Sequence, residues 1–215
     1  MKTLKRTNAL IVICIFVSLF YWSGYRSYVE EYLVYSGDRL KQGALWTPIS
    51  TLFVHFDPMH LIGNIIFLYV FGKVVEEEAG ANAVTIAYFL GGAGSIIFSS
   101  FFYGFNVQMI GASGAIFTLS AAAMLIKPLK SSVFFLFVPL GLVAILYFIF
   151  NVFAVSLSFG GNVGYVTHVA GFLIGTPFGI VFSKGKWLRN LGITMLLLIV
   201  FFAAIYIIQT ISNPL

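Results

Sequence analysis

Four polar side chains in this sequence of 215 residues have the types and spacing of a catalytic site: His60, Asn64, Ser113 and His168. A serine hydroxyl beside an imidazole can act as a nucleophile, because the imidazole removes its proton. Ser113 lies in a Gly-Ala-Ser-Gly tetrapeptide that ends at Gly114, and its glycines permit a tight turn and a close approach by another segment. These residues indicate acyl transfer, with Ser113 as nucleophile and His168 as base and then as acid to the leaving amine.

The same region could also stabilise the negative charge that develops on a substrate carbonyl oxygen. His60 and Asn64 are four residues apart, so they share one face of a helix, one turn apart. Backbone N–H groups at a helix that begins near Ser113 would point at the same place and add the helix dipole. A hydrogen-bonded clamp between helices is the alternative role for His60 and Asn64.

Glycines after His168 predict close helix packing. Gly171 and Gly175 are four residues apart, a spacing that lets two helix backbones approach each other. We expect this helix to pack against Ser113 and Gly114, which would bring the imidazole within hydrogen-bonding reach of the hydroxyl.

No acidic residue is placed to orient that imidazole. Asp38 and Asp57 fall in a connecting segment, and Glu76, Glu77 and Glu78 fall at the far end of an apolar segment. The sequence therefore predicts a two-residue Ser-His arrangement without the third member of the usual triad. We expect the three glutamates to be exposed to solvent at a membrane surface.

The composition excludes a soluble domain. Hydrophobic residues make up 60% of the chain and charged residues only 9%, whereas soluble domains carry roughly 25% charged residues. The net charge is +5, but the basic residues lie between apolar runs and no basic patch with interleaved aromatic residues occurs, so we expect no nucleic-acid partner. The single cysteine, Cys14, cannot form an intrachain disulfide and is expected to serve packing.

Seven apolar segments predict membrane-spanning helices, because a bilayer core of about 30 Å requires roughly 20 apolar residues per helix and the runs lack the alternation of barrel strands. The segments are 8–24, 59–75, 81–103, 113–126, 132–157, 165–182 and 191–211. The fold class is therefore an all-α polytopic membrane protein, with one long connection over 25–58.

The distribution of basic residues predicts the orientation. With the N-terminus inside, the inner side holds Lys2, Lys5, Arg6, Lys73, Lys127, Lys130, Lys184, Lys186 and Arg189, and the outer side holds Arg26, Arg39 and Lys41. This bias places the N-terminus in the cytoplasm and the C-terminus outside, in the cell (plasma) membrane. The fourth segment has about 14 residues, or roughly 21 Å, so we expect Ser113 to lie below the outer surface, under a water-filled depression.

Other intramembrane chemistries find no support in these residues. The HExxH pattern of zinc proteases is absent, no apolar segment holds a pair of aspartates, and no mid-membrane carboxylate favours a proton-coupled transporter. A channel, a scaffold or a catalytically inactive relative is the remaining alternative.

Taken together, the motifs resemble those of the rhomboid family of intramembrane serine proteases, from about residue 46 to residue 175. The family's HxxxN, GxSG and HxxGxxxG patterns occur in order as His60 to Asn64, Gly111 to Gly114 and His168 to Gly175. His55 matches a further family histidine, and Glu76 with Gly80 matches an ExxxG pattern.

The resemblance implies a role for each matching residue. Ser113 would be the nucleophile and His168 its base, while His60, Asn64 and the Ser113 amide would form the oxyanion hole. Phe117 would stack on the catalytic histidine. The supporting positions are Gly111, Gly114, Phe117 and Gly171.

The resemblance also implies an architecture and partners. A six-helix catalytic core over residues 1–183 would be followed by an extra transmembrane helix over 184–215, as in six-plus-one members. The substrates would be transmembrane proteins in the lipid bilayer, and no metal or other cofactor would be needed. The alternative is an inactive rhomboid-like scaffold or transporter that binds transmembrane helices.

The chain departs from the family pattern at two positions. A Trp-Arg pair typical of many relatives reads Trp46-Thr47, and the residue before the catalytic histidine, commonly Ala, is Thr167.

By analogy with the family, we expect substrates to enter through a gate between segments two and five, with a loop over 156–163 made mobile by Gly160 and Gly161.

Overall fold

A computed structural model describes residues 4–158 and 164–212, and the chain in these ranges is helical with no named strand. The helices are α1 (Lys5–Trp22), α2 (Arg26–Tyr32), α3 (Gly37–Lys41), α4 (Thr47–Ser50), α5 (Pro58–Ala79), α6 (Ala81–Tyr103), α7 (Ser113–Ile126), α8 (Leu140–Ser156), α9 (Tyr165–Phe182) and α10 (Trp187–Ser212). Short 3₁₀ turns occur at Thr51–Phe53 and Val133–Phe135.

Five of these helices, α1, α5, α6, α9 and α10, are long and apolar enough to cross a membrane, and α7 and α8 are shorter apolar helices. Each of the seven predicted segments corresponds to one of them, and the bounds of α6, α7 and α9 are those predicted. The protein is thus an all-α, multi-pass integral membrane protein. The helices α2 to α4 lie in the long connection between α1 and α5.

The predicted bounds of α1, α5 and α10 were wrong by one to four residues at each end. The largest error concerns the fifth segment, which was expected to be helical from residue 132, whereas α8 begins at Leu140. Leu136 and Phe137 adopt positive φ angles of 51° and 61°, which a right-handed helix cannot contain. Pro139 then precedes the helix, and the first amide of α8 donates to the carbonyl of Lys130 at 2.7 Å.

α7 is the buried centre of the bundle. Its residues from Gly114 to Leu125 are all buried, and it contacts α5, α6, α8, α9 and α10. Small residues permit this packing: a Cβ atom at Gly175 of α9 would lie 2.3 Å from the carbonyl oxygen of Thr118. A helix surrounded by protein need not match the bilayer thickness, so its 14 residues are sufficient.

The end of the bundle remote from Ser113, here called the Glu76 end, holds a buried carboxylate. Glu76 near the end of α5 accepts hydrogen bonds from the backbone N–H groups of Arg6 (2.9 Å) and Thr7 (2.8 Å) and from the Thr7 hydroxyl (2.6 Å). These amides lie in the first turn of α1, which has no side-chain cap of its own. The carboxylate therefore caps α1 and complements its dipole.

The expectation of a solvated glutamate run was therefore wrong for Glu76, which is buried. Its two neighbours fit that expectation better, because Glu78 pairs with Lys127 and Glu77 lies 3.9 Å from Lys130. These ion pairs join the end of α5 to the segment between α7 and α8. Gly80, with a φ of 102°, then makes the reversal from α5 into α6 that other residues would strain to adopt.

The last helix, α10, is attached through polar contacts and through partly buried apolar side chains, such as Trp187 and Leu191, that pack against the core. Asn190 is buried and donates from Nδ2 to the carbonyl oxygens of Leu125 (2.7 Å) and Ile126 (2.9 Å) at the end of α7. Its only other buried residue is Thr194, so most of its apolar surface faces away from the bundle. The division into residues 1–183 and 184–215 stays a prediction.

Candidate active site

Ser113 is the first residue of α7 and is partly exposed, whereas its neighbours from Gly111 to Leu125 are otherwise buried. Gly111 forms the turn before the helix with a φ of 111°, and its N–H donates to the carbonyl of Thr51 at 3.1 Å. The Ser113 N–H falls in the first helical turn, where amides have no acceptor within the helix. The serine therefore presents both its hydroxyl and an available N–H at an accessible point.

His60 packs directly against this turn. A Cβ atom at Gly111 would lie 2.8 Å from Cε1 and 2.9 Å from Nε2 of the His60 ring, so no larger residue fits there. Nδ1 of His60 accepts a hydrogen bond from the Phe56 N–H at 3.4 Å. In the neutral ring the proton is then on Nε2, the nitrogen nearest Gly111.

Asn64 lies one turn further along α5 and is buried. Its Nδ2 donates to the carbonyl oxygen of His60 at 2.7 Å, and its Oδ1 has no partner among the described residues. The hydrogen bond stays within α5 and joins no second helix, which weighs against the interhelical clamp. One N–H of the amide remains available to a ligand.

His168 is brought to Ser113 by close packing of α7 and α9. A Cβ atom at Gly171 would lie 2.3 Å from the carbonyl oxygen of Gly114, as expected from the small-residue spacing. The ring of Phe117 stacks on the ring of His168, with centroids 4.5 Å apart and planes 9° apart. Ser113 precedes Phe117 by one helical turn, so Ser113 and His168 lie at the same end of the contact between α7 and α9.

No hydrogen bond joins Ser113 to His168 in the described part of the chain, although catalytic hydrogen bonds often tighten only when substrate is bound. The imidazole instead has a partner that the sequence analysis missed: its Nδ1 lies 2.7 Å from Oδ1 of Asn151 on α8. The sequence signal for this partner is an amide inside an apolar segment, since an amide oxygen can orient an imidazole as a carboxylate does.

His55 lies outside the membrane-spanning helices, in the segment that leads into α5. Its Nδ1 is 3.1 Å from the hydroxyl of Ser18 on α1, and Trp22 of α1 donates to its backbone carbonyl at 3.1 Å. These contacts anchor the connecting segment, as expected for a structural histidine. Burial, together with the nearby ring of His60, lowers the pKa of His55 to about 3, so the ring is neutral at ordinary pH.

Both departures from the family pattern have structural roles. The hydroxyl of Thr167 lies 2.7 Å from that of Ser99, which ties α9 to α6 beside the site. The hydroxyl of Thr47 donates to the carbonyl of Ala44 at 2.8 Å, and the indole of Trp46 donates to the carbonyl of Tyr32 at 2.7 Å. These contacts are local to the connecting segment and do not involve Ser113 or His168.

A row of aromatic rings crosses from α5 to the candidate base. Phe67 of α5 packs on Tyr147 of α8 with centroids 5.0 Å apart, Tyr147 stacks on Phe117 at 5.4 Å, and Phe117 stacks on His168. The gate was expected between α5 and α8, the helices that carry Phe67 and Tyr147. Its glycines, Gly160 and Gly161, lie outside the described residues.

The sequence profile of the Rhomboid domain matches residues 42–185 of this chain. Rhomboid protease GlpG of Haemophilus influenzae is 22% identical over 180 residues, which are 84% of this chain and 92% of that protein. Rhomboid-like protein 11, chloroplastic, of Arabidopsis thaliana is 39% identical over 79 residues, 37% of this chain and 28% of that protein. RHOMBOID-like protein 2 of the same plant is 31% identical over 138 residues, 63% of this chain and 42% of that protein. The chain thus spans most of the bacterial relative and less than half of these plant relatives.

Proposed function

Because this chain belongs to the rhomboid family, we propose that it is an intramembrane serine endopeptidase that cuts transmembrane substrate proteins. The observation that carries the proposal is the meeting of three helices at one accessible serine. Ser113 begins α7, His168 of α9 is stacked on Phe117 one turn away, and His60 of α5 lies against the preceding turn. A nucleophile, a base and an oxyanion donor are thereby available at one point.

The mechanism follows from these positions. The hydroxyl of Ser113 adds to the scissile carbonyl carbon while its proton passes to Nε2 of His168. The resulting oxyanion accepts hydrogen bonds from the Nε2–H of His60, the Nδ2–H of Asn64 and the backbone N–H of Ser113. The imidazolium then gives its proton to the leaving nitrogen as the C–N bond breaks. Water, deprotonated by His168, hydrolyses the acyl-enzyme and restores the serine.

Substrate preference follows from the depth and narrowness of the site. A transmembrane helix must unwind locally to present an extended strand to Ser113, so weak helix formers such as Gly near the cut are favoured. Small residues at the cut also clear the glycine-lined turn. The bias of basic residues orients the protein in the cell membrane with its N-terminus in the cytoplasm and its C-terminus outside, so cleavage occurs near the outer face.

The test is cleavage of a panel of transmembrane substrates by the purified protein in liposomes. The parent is expected to give products, while Ser113→Ala and His168→Ala are expected to give none. Ser120→Ala is a matched control, because Ser120 is a buried serine of the same helix whose hydroxyl bonds to the carbonyl of Phe117. Equal cleavage by parent and variants would contradict the assignment.

The competing function is an inactive scaffold that binds transmembrane helices. The absence of a Ser113 to His168 hydrogen bond is the observation that favours it. Crosslinking of a substrate helix to the parent without any product from the whole panel would support this function and contradict the protease.

A further inference from the structure

A buried amide on α8 contacts Nδ1 of His168, the ring nitrogen that the proposed reaction does not use. Asn151 is 1% exposed, and its Oδ1 lies 2.7 Å from Nδ1 of His168. An amide buried in an apolar helix is costly unless its hydrogen bonds are made, and here both the oxygen and the nitrogen of the amide have a partner.

The orientation of the amide is determined by its second hydrogen bond. Nδ2 of Asn151 donates to the backbone carbonyl oxygen of Tyr147, one turn earlier, at 2.7 Å. A carbonyl oxygen accepts only, so the NH₂ group must face Tyr147 and the oxygen must face His168.

The protonation of the imidazole follows. Since Oδ1 of Asn151 accepts only, Nδ1 of His168 must carry a proton to donate to it. In the neutral ring Nε2 is then unprotonated, and Nε2 is the nitrogen that must take the proton of Ser113. An acceptor on Nδ1 thus selects the one tautomer that can act as a base toward the serine.

The same turn of α8 also restrains the plane of the ring. Tyr147 stacks on Phe117 with centroids 5.4 Å apart, and Phe117 stacks on His168. The imidazole is therefore held from its Nδ1 edge by Asn151 and from its face by Phe117.

Building on the proposed function, we propose that Asn151 is a positioning residue that holds His168 as the Nδ1–H tautomer with Nε2 directed at Ser113. The arrangement is a Ser-His-Asn series in which a neutral amide occupies the place that a carboxylate holds in the usual triad. Asn151 does not touch the substrate and acts only through His168.

Three variants separate positioning from packing. Asn151→Leu removes the acceptor while keeping the same number and branching of heavy atoms. Asn151→Asp keeps it, because the carbonyl of a protonated carboxyl group can accept from Nδ1 while its hydroxyl donates to Tyr147. Phe148→Leu is the matched control, since Phe148 packs α8 on Phe172 of α9, with ring centroids 4.3 Å apart, whereas the ring contacts of His168 are with Phe117 and Tyr165.

Kinetics give the first measurement. Asn151→Leu is expected to lower kcat by about 10 to 100 fold with little change in KM, because the base is correctly placed in a smaller fraction of molecules. Asn151→Asp should recover most of this loss, and Phe148→Leu should change kcat by less than about threefold. An unchanged kcat in Asn151→Leu, or an equal loss in Phe148→Leu, would overturn the proposal.

Nitrogen-15 NMR of the histidine rings gives a readout that needs no substrate. The His168 signal, assigned by its loss in His168→Ala, should report a protonated Nδ1 in the parent and in Asn151→Asp, and a shift toward protonated Nε2 in Asn151→Leu. The same tautomer in Asn151→Leu as in the parent would overturn the proposal. A parent that cleaves no substrate would instead contradict the proposed function, and the NMR result would still decide whether Asn151 sets the tautomer.

Discussion

The two ends of the bundle both bury polar groups, but they differ in how many of these groups have hydrogen-bond partners. At the Glu76 end, both carboxylate oxygens are used by the first turn of α1. At the Ser113 end, Oδ1 of Asn64 and Nε2 of His55 have no partner among the described residues, and Ser113 is partly exposed. Buried polar groups are normally satisfied, so the network at the Glu76 end is structural, whereas the amide of Asn64 beside Ser113 is expected to meet a ligand.

The largest expected effect falls where the two helices of the candidate site meet. Gly171→Ala would place a Cβ atom 2.3 Å from the carbonyl oxygen of Gly114, and the backbone must shift to relieve this overlap. We expect a loss of about 3 kcal/mol or more in unfolding free energy, together with loss of activity, in equilibrium unfolding and cleavage assays.

Gly192→Ala provides the control, because a Cβ atom there meets nothing within 4 Å. If Gly171→Ala were as stable and active as Gly192→Ala, the close packing of α7 and α9 could not be what positions His168.

The next largest effect is on kcat, which should depend on Asn64 at the Ser113 end. Asn64→Ala is expected to lower kcat by about 10 to 1,000 fold, since it removes one proposed oxyanion donor. Its stability should change little, because the one hydrogen bond that its side chain makes to a described residue lies within α5. Cleavage kinetics and thermal unfolding of the same preparation check both parts, and a stability loss without a change in kcat would assign Asn64 to packing.

The reciprocal experiment weakens the Glu76 end. Thr7→Val removes the hydroxyl that donates to Glu76 at 2.6 Å while keeping the shape of the side chain. We expect a loss of about 1.5 to 3 kcal/mol in unfolding free energy, the range for hydrogen bonds to charged groups. The kcat of the folded fraction should equal that of the parent, and a kcat lowered as far as in Asn64→Ala would remove the distinction between the two ends.

The smallest effect concerns pH at the Ser113 end. Burial lowers the pKa of His55 to about 3 in the folded protein, against about 6.5 when unfolded. The unfolded state therefore binds a proton first as pH falls, and stability present above pH 6.5 is lost below it. Between pH 6.5 and 5.5 this group alone should cost about 1 kcal/mol.

His55→Asn removes the titrating group. Its unfolding free energy should decline less than that of the parent over the same interval, even if it starts lower. Parallel declines for the two proteins would show that His55 does not carry the pH dependence.

Local patterns predicted the helices well, and glycine spacing predicted the contact between Gly171 and Gly114, but polar contacts between distant segments were not predicted. Apolar length was sufficient to identify α6, α7 and α9 to the residue, because each is bounded by glycine, proline or charge. The late start of α8 depends on the left-handed backbone of Leu136 and Phe137, which composition does not reveal.

The errors about polar residues have one physical origin. Glu76 was expected to be solvated because its partner, the first turn of α1, lies 69 residues away in sequence. The role of Asn151 was missed because it depends on a contact with His168, which lies 17 residues later in the sequence. The assignment of these four residues to catalysis, Ser113, His168, His60 and Asn64, stays a prediction.

The most direct test of the central claim is labelling by a fluorophosphonate, which reacts with an activated serine and requires no knowledge of the substrate. We expect a covalent adduct on Ser113 in the parent, located by mass spectrometry of the intact protein and its fragments, and a labelling rate at least about 100 fold lower in His168→Ala. Equal labelling of Ser113 in both proteins, or no adduct on Ser113 in the parent, would contradict it.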